Sequence, residues 1–152
     1  MLREQINAAL KDAMKAQDKR RVSTLRMISA AIKDRDIEAR GAGKGTATDD
    51  ELLSLLQKMI KQRQESQAIY EKAGRADLAT QEREEIEICS SYLPQQLSEA
   101  EARSAIEALV KELDAGGMKD MGRVMAALKE RYSGQMDFAQ ASGMVKGILA
   151  AK

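Results

Sequence analysis

Acid–base or nucleophilic chemistry needs titratable groups held against one another, and this chain offers few. It contains no His, so the commonest general base and the commonest metal ligand are both absent. Its single Cys, Cys89, rules out an internal disulfide and any multi-cysteine zinc or iron–sulfur site. Cys89 falls three residues after Ile86, in helical phase with it, and is expected to be a small core residue rather than a nucleophile. The densest acidic run is Glu82, Glu84, Glu85 and Glu87, interrupted by Arg83. Carboxylates share a proton or a cation only where packing makes them face each other, so a solvated outer helix face is expected there. Gly41-Ala42-Gly43-Lys44-Gly45-Thr46 copies the end of a phosphate-binding P-loop. The first glycine of that motif belongs five residues before Gly43, where Glu38 stands, and a charged helix leads in where a buried strand is required. A flexible loop is expected instead. No Gly-x-Ser-x-Gly elbow occurs. The expectation is a chain with no catalytic residues, no metal or other cofactor, and no small-molecule substrate.

What remains is charge. The net value is +1, but residues 1–44 carry 11 Lys/Arg against 6 Asp/Glu, residues 45–115 carry 8 against 15, and residues 116–152 carry 6 against 3. Basic ends flanking an acidic middle leave room for a local anionic partner. The C-terminal cations are Lys119, Arg123, Lys129, Arg131 and Lys146, against Asp120, Glu130 and Asp137. Lys119 and Arg123, four apart, are expected to share one face of a helix. A second basic cluster comprises Lys15, Lys19, Arg20, Arg21 and Arg26. Only four aromatics are present, Tyr70, Tyr92, Tyr132 and Phe138, too few for a base-stacking platform.

The elements that position these groups are helices. The composition is rich in Ala, Leu, Glu, Lys, Gln, Arg and Met and holds 3% aromatics, which favours an all-α fold. Leu2, Ile6, Leu10 and Ala13 predict a first helix ending near Gln17. Asp18 caps a second, with the stripe Val22, Leu25, Ile28, Ile32 and Ile37, ended by the glycines of 41–45. Thr48 with Glu51 opens a long third helix carrying Leu52, Leu55, Leu56, Met59, Ile60 and Tyr70. After Gly74, Asp77 is expected to cap a fourth helix that buries Leu78, Ile86, Cys89 and Leu93, forming an antiparallel hairpin with the third. Pro94 disfavours helix at Leu93, and Ser98 with Glu101 restarts it. Tyr92, Leu93 and Pro94 are therefore the expected hinge between domains 1–94 and 95–152. The second domain is expected to be a three-helix bundle. Its stripes are Ala102, Ile106, Leu109 and Leu113; Met121, Val124, Met125 and Leu128; and Ala141, Met144, Val145, Ile148 and Leu149. No apolar run reaches the ~20 residues of a membrane span, and no signal peptide is recognisable. A soluble, cytoplasmic protein is expected.

Several stretches carry a family resemblance. They are Thr48-Asp49-Asp50-Glu51-Leu52-Leu53, Lys61-Gln62-Arg63-Gln64-Glu65-Ser66, Tyr70-Glu71-Lys72-Ala73-Gly74-Arg75-Ala76-Asp77-Leu78-Ala79, and Tyr92-Leu93-Pro94-Gln95-Gln96-Leu97-Ser98. Together they resemble the YqeY proteins, stand-alone relatives of the helical tail of the GatB subunit of glutamyl/aspartyl-tRNA amidotransferase. The resemblance spans essentially the whole chain. It implies a four-helix N-terminal domain with a long helical hairpin, joined at Tyr-Leu-Pro to a small three-helix C-terminal domain. In the amidotransferase that tail helps engage tRNA while other modules carry the chemistry. A carbon–nitrogen ligase label inherited from the family would thus lack its catalytic modules here. The C-terminal motif Met121-Gly122-Arg123-Val124-Met125-Ala126-Ala127-Leu128 has Arg and Ala where relatives usually have Lys and Gly. The turn Gly134-Gln135-Met136-Asp137-Phe138 lacks the glycine that follows the Asp in relatives, which makes it less permissive.

The functional expectation is therefore a non-catalytic tRNA-binding accessory module. It would bind weakly through Lys119, Arg123, Lys129, Arg131 and Lys146, with a salt slope of about −2 to −4. The alternative is an adaptor that docks a translation-related protein through the acidic hairpin.

Overall fold

The computed structural model describes residues 1–152 and is all-α, with seven α-helices, one short 3₁₀ turn and no strand. The helices are α1 (Leu2–Lys15), α2 (Lys19–Gly41), α3 (Asp49–Lys72), α4 (Ala76–Ser90), α5 (Glu99–Glu112), α6 (Met121–Arg131) and α7 (Phe138–Ala150), and the 3₁₀ turn is Met118–Asp120. They divide into two compact units, Met1–Leu93 and Pro94–Lys152.

The first unit contains α1–α4. Asp18 accepts a hydrogen bond from the Arg21 N–H and Thr48 Oγ1 one from the Glu51 N–H, each meeting a donor that helix geometry leaves unpaired. Gly74 takes a left-handed φ of 72° between α3 and α4, a conformation glycine adopts without steric cost. Arg75 rather than Asp77 occupies the N-cap of α4. Asp77 sits within the first turn, gripped by both Nε and Nη2 of Arg75 at 3.2 and 3.1 Å. The core joins Leu2, Ile6 and Ala13 of α1, Leu25, Ile28 and Ile32 of α2, Leu52, Leu56 and Met59 of α3, and Cys89 of α4. Ile37 departs from its expected place in this core, standing 64% exposed. On α4, Cys89 is fully buried as expected, Leu78 and Ile86 are half-buried, and Ala79 and Glu85 complete the inner face.

The loop after α2 is anchored just beyond the exposed segment 41–46. Asp36 Oδ1 accepts from the Ala47 N–H at 2.9 Å and from Arg3 Nη2 at 2.6 Å, and Ala47 is buried. These bonds hold the Asp36 carboxyl below its ordinary pKa, the Ala47 N–H contributing most. Gly43 and Gly45 supply the left-handed residues, at φ 74° and 75°.

The second unit packs Ile106, Leu109 and Val110 of α5 against Val124 and Leu128 of α6 and Ala141, Val145 and Leu149 of α7. Ser98 and Glu101 form a complete capping box at α5. The Leu97 N–H donates to the Gln135 carbonyl at 2.8 Å, pinning the segment before α5 to the α6–α7 turn. That turn has no need of the missing glycine. Gly134 provides the one left-handed residue at φ 75°, Asp137 caps α7 through the Ala139 N–H, and Phe138 is already helical and packed on the core.

Candidate functional site

The five C-terminal cations expected to act together are dispersed. Lys119 lies in the 3₁₀ turn before α6 begins, so it does not share a helix face with Arg123. Both flank Asp120. Arg123 Nη2 stands 3.2 Å from Asp120 Oδ1. The Asp120 carboxyl is held low first by the Gly116 N–H it accepts, then by the charges of Arg123 and Lys119. Arg131 makes a two-pronged pair with Glu112 of α5, 2.7 Å on each side, so it works as a tie between α5 and α6. Lys129 and Lys146 are exposed and make no ion pair within the chain. Within α6, Arg123 and Lys129 are about 120° apart around the helix axis.

A different feature distinguishes the outer surface of this unit. Gly122 of α6 and Gly143 and Gly147 of α7 are exposed helical glycines, and a Cβ added at any of them would meet nothing within 4 Å. Internal packing therefore gives no reason for them, although each costs roughly 0.5–1 kcal/mol relative to Ala in a helix. Gly143 and Gly147, one turn apart, sit opposite the buried stripe of α7, with Lys146 on their flank. Gly122 shares the outer face of α6 with Lys129.

In the first unit, Tyr92 and Leu93 of the expected hinge pack against the core, and the Tyr92 hydroxyl accepts from Arg21 Nη2 at 3.2 Å. Pro94, exposed, begins the second unit.

The acidic run on α4 is not a solvated outer face. Glu85 is buried and its Oε2 accepts from Arg63 Nε of α3 at 3.1 Å, with side-chain exposures of 7% and 13%. Arg63 also donates to the Met59 carbonyl and to the Met27 sulfur. Glu84 pairs with Arg20 of α2 at 3.0 Å. Glu82 keeps one buried oxygen, Oε2, without a partner. Burial first, and then the Glu85 charge, push the Glu82 carboxyl above its ordinary value, against the pull of Arg63. Burial likewise raises the Cys89 thiol, leaving it a poor nucleophile in the folded state. The signal that could have found Glu85 was present in the sequence. It precedes Cys89 by one helical turn, so a buried Cys89 places Glu85 on the inner face.

No helix of the structure is long and apolar enough to cross a membrane.

The model of the Yqey-like protein family matches residues 3–149. Among curated relatives, the altered inheritance of mitochondria protein 41, mitochondrial, of Pyrenophora tritici-repentis is 30% identical over 97% of this chain and 80% of its own length. Its namesake in Lachancea thermotolerans is 38% identical over 68% of this chain and 55% of its own. The one in Clavispora lusitaniae is 37% identical over 55% and 46%. The names of these relatives place them in mitochondria, and they carry no support for the cytoplasmic expectation.

Proposed function

We propose that this chain, which belongs to the Yqey-like protein family, serves as a non-catalytic accessory module that associates with tRNA. The observation that carries the reading is the set of exposed helical glycines in the second unit. Gly122, Gly143 and Gly147 each leave open space where a side chain would stand, which lets a partner's backbone come close to the helix. Lys129 and Lys146, unpaired, lie on or beside those faces and supply positive charge to a phosphate backbone read by shape rather than sequence. The absence of a catalytic role is part of the proposal. Cys89 is buried and raised, and Glu85 is tied to Arg63, so neither is presented to a substrate.

In the adaptor alternative, Asp77, Glu84 and Glu85 of the hairpin are engaged by Arg75, Arg20 and Arg63, and a partner would meet exposed acids such as Asp50, Glu65 and Glu87. The test is a titration of the purified chain with bulk tRNA at two salt concentrations. Saturable binding that weakens with salt, and weakens further in Lys129→Glu/Lys146→Glu, supports the module. Arg123 is left intact because Asp120, its partner, also holds the Gly116 N–H. Absence of saturable binding at low salt refutes the reading and turns the search to protein partners.

A further inference from the structure

Helix α2 carries a second cationic surface. Its seven Lys/Arg are Lys19, Arg20, Arg21, Arg26, Lys33, Arg35 and Arg40, and its acids are Asp34, Asp36 and Glu38. Three of the cations serve the fold: Arg20 pairs with Glu84, Arg21 donates to Tyr92, and Arg35 pairs with Glu38. Asp36 is likewise engaged by Arg3 and the Ala47 N–H. Removing these leaves Lys19, Arg26, Lys33 and Arg40, all exposed and none in an ion pair.

The four lie at intervals of seven residues. On an α-helix that places them about 10.5 Å apart along a line about 31 Å long, drifting only about 20° per step. The positions that flank this line, about 50° to either side, are Val22, Ser23, Ser29, Ala30, Asp36 and Ile37. The one acid among them, Asp36, lies beside Arg40 at the end of the line and is already engaged by Arg3 and the Ala47 N–H. Asp34 is set about 100° away from Lys33 around the axis. Between Lys19 and Arg26 the line dips into an open concavity of about 350 Å³, lined also by Gln17, Val22 and Ser23.

We propose that this line on α2 is a contact surface for the phosphate backbone of double-stranded RNA. It lacks the paired apolar seam that helix-on-helix docking requires, and isolated surface pairs with protein carboxylates contribute little. A nucleic-acid backbone is the polyanion whose dense charge and counterion release let a few unpaired cations bind. Single-stranded RNA needs aromatic stacking surfaces, and the line has none. A duplex backbone read through its shape fits. The inference rests on the RNA-associated reading above but not on Gly122, Gly143, Gly147, Lys129 or Lys146, which lie in the other unit.

The experiment is a titration of the full chain and of Lys19→Gln/Arg26→Gln/Lys33→Gln/Arg40→Gln with bulk tRNA and with a mixed-sequence RNA duplex. A charge-matched control carries Lys11→Gln/Lys58→Gln/Lys72→Gln/Arg83→Gln, four exposed cations of the same unit off the line. The wild-type affinity is expected to fall steeply between about 50 and 200 mM salt. About 50- to 150-fold of that fall should vanish in the α2 variant, since each phosphate contact contributes about 0.7–0.9 to the slope. The control should keep its slope, and circular dichroism with Cys89 thiol protection should show all forms equally folded. Wild-type binding left intact in the α2 variant overturns this inference alone. Equal loss in the control overturns it too, because net charge and not the line would then be responsible. Equal competition by an oligoglutamate peptide reassigns the surface to an acidic protein. Loss in the α2 variant with no effect of Lys129→Glu/Lys146→Glu upholds α2 and refutes the glycine-flanked site. No wild-type binding refutes both.

Discussion

Glu85→Gln isolates the one ion pair that the first unit takes out of water. The pair is between Arg63 and Glu85, whose side chains are 13% and 7% exposed. Breaking a buried pair from one side costs about 3–5 kcal/mol, because the remaining charge is stranded. The low end applies here, since Arg63 keeps the Met59 carbonyl as an acceptor and some access to solvent. Cys89 provides the readout. It is the only thiol of the chain, fully buried in the same unit and absent from the other, so its labelling reports opening of Met1–Leu93 alone. When opening and closing are fast compared with labelling, the rate follows the open population. A loss of about 3 kcal/mol then accelerates labelling about 160-fold, at 1.36 kcal/mol per decade. Arg63→Met/Glu85→Leu removes both charges and should stay within about tenfold of wild type, because an apolar replacement of a buried pair is often neutral. Labelling of Glu85→Gln within about threefold of wild type would show that the pair is effectively solvated. A double variant as fast as the single would show that the cost is lost packing rather than a stranded charge.

Three further outcomes are expected. Glu82→Gln should raise the urea midpoint of the first unit at neutral pH and leave it unchanged in acid. The Glu82 carboxyl is raised in the fold, so its favourable protonated form is complete below the ordinary Glu value and lost as pH climbs through the raised one. Gly122→Ala, Gly143→Ala and Gly147→Ala should each stabilise the second unit by about 0.4–1 kcal/mol, since the added methyl meets nothing. Amide exchange in α6 and α7 should slow while tRNA affinity falls, and unchanged affinity in all three would remove the basis of the proposed docking face. Ser98→Ala should cost about 1 kcal/mol by deleting one half of the α5 capping box, read as roughly fivefold faster amide exchange in α5.

What the sequence makes legible here is whatever is decided locally. Asp18, Thr48 and Ser98 cap the helices expected of them, because a cap is a bond between a side chain and an amide two or three residues on. Asp77 fails because Arg75 grips it from two residues away, a local competition that a cap pattern ignores. Ile37 fails for a reason of helical phase. It stands five residues after Ile32, about 140° around the axis, so it faces away from the stripe Leu25, Ile28 and Ile32, while Ala39 in the same turns reaches the interior. Glu85 was misplaced by its charge, although its spacing from Cys89 already put it on the inner face.

The functional surface is harder to read for a related reason: charge counted along a chain is not the charge a partner meets. Residues 116–152 hold 6 Lys/Arg and 3 Asp/Glu, yet the unit from Pro94 to Lys152 holds 8 of each, because the acids of α5 fold back onto it. Arg131 finds Glu112 there, and Arg123 finds Asp120 within its own turn. The basic tail is thereby reduced to scattered lysines. α2 shows the converse. Its charges look mixed in sequence, but Glu84, Tyr92, Glu38, Arg3 and the Ala47 N–H draw off the members that serve the fold. The remainder, Lys19, Arg26, Lys33 and Arg40, is a line whose seven-residue spacing was always visible. Its meaning depends on which neighbours are already paired, and that is settled by α1, α4, Tyr92 and the loop after α2 together with Glu38 of α2 itself.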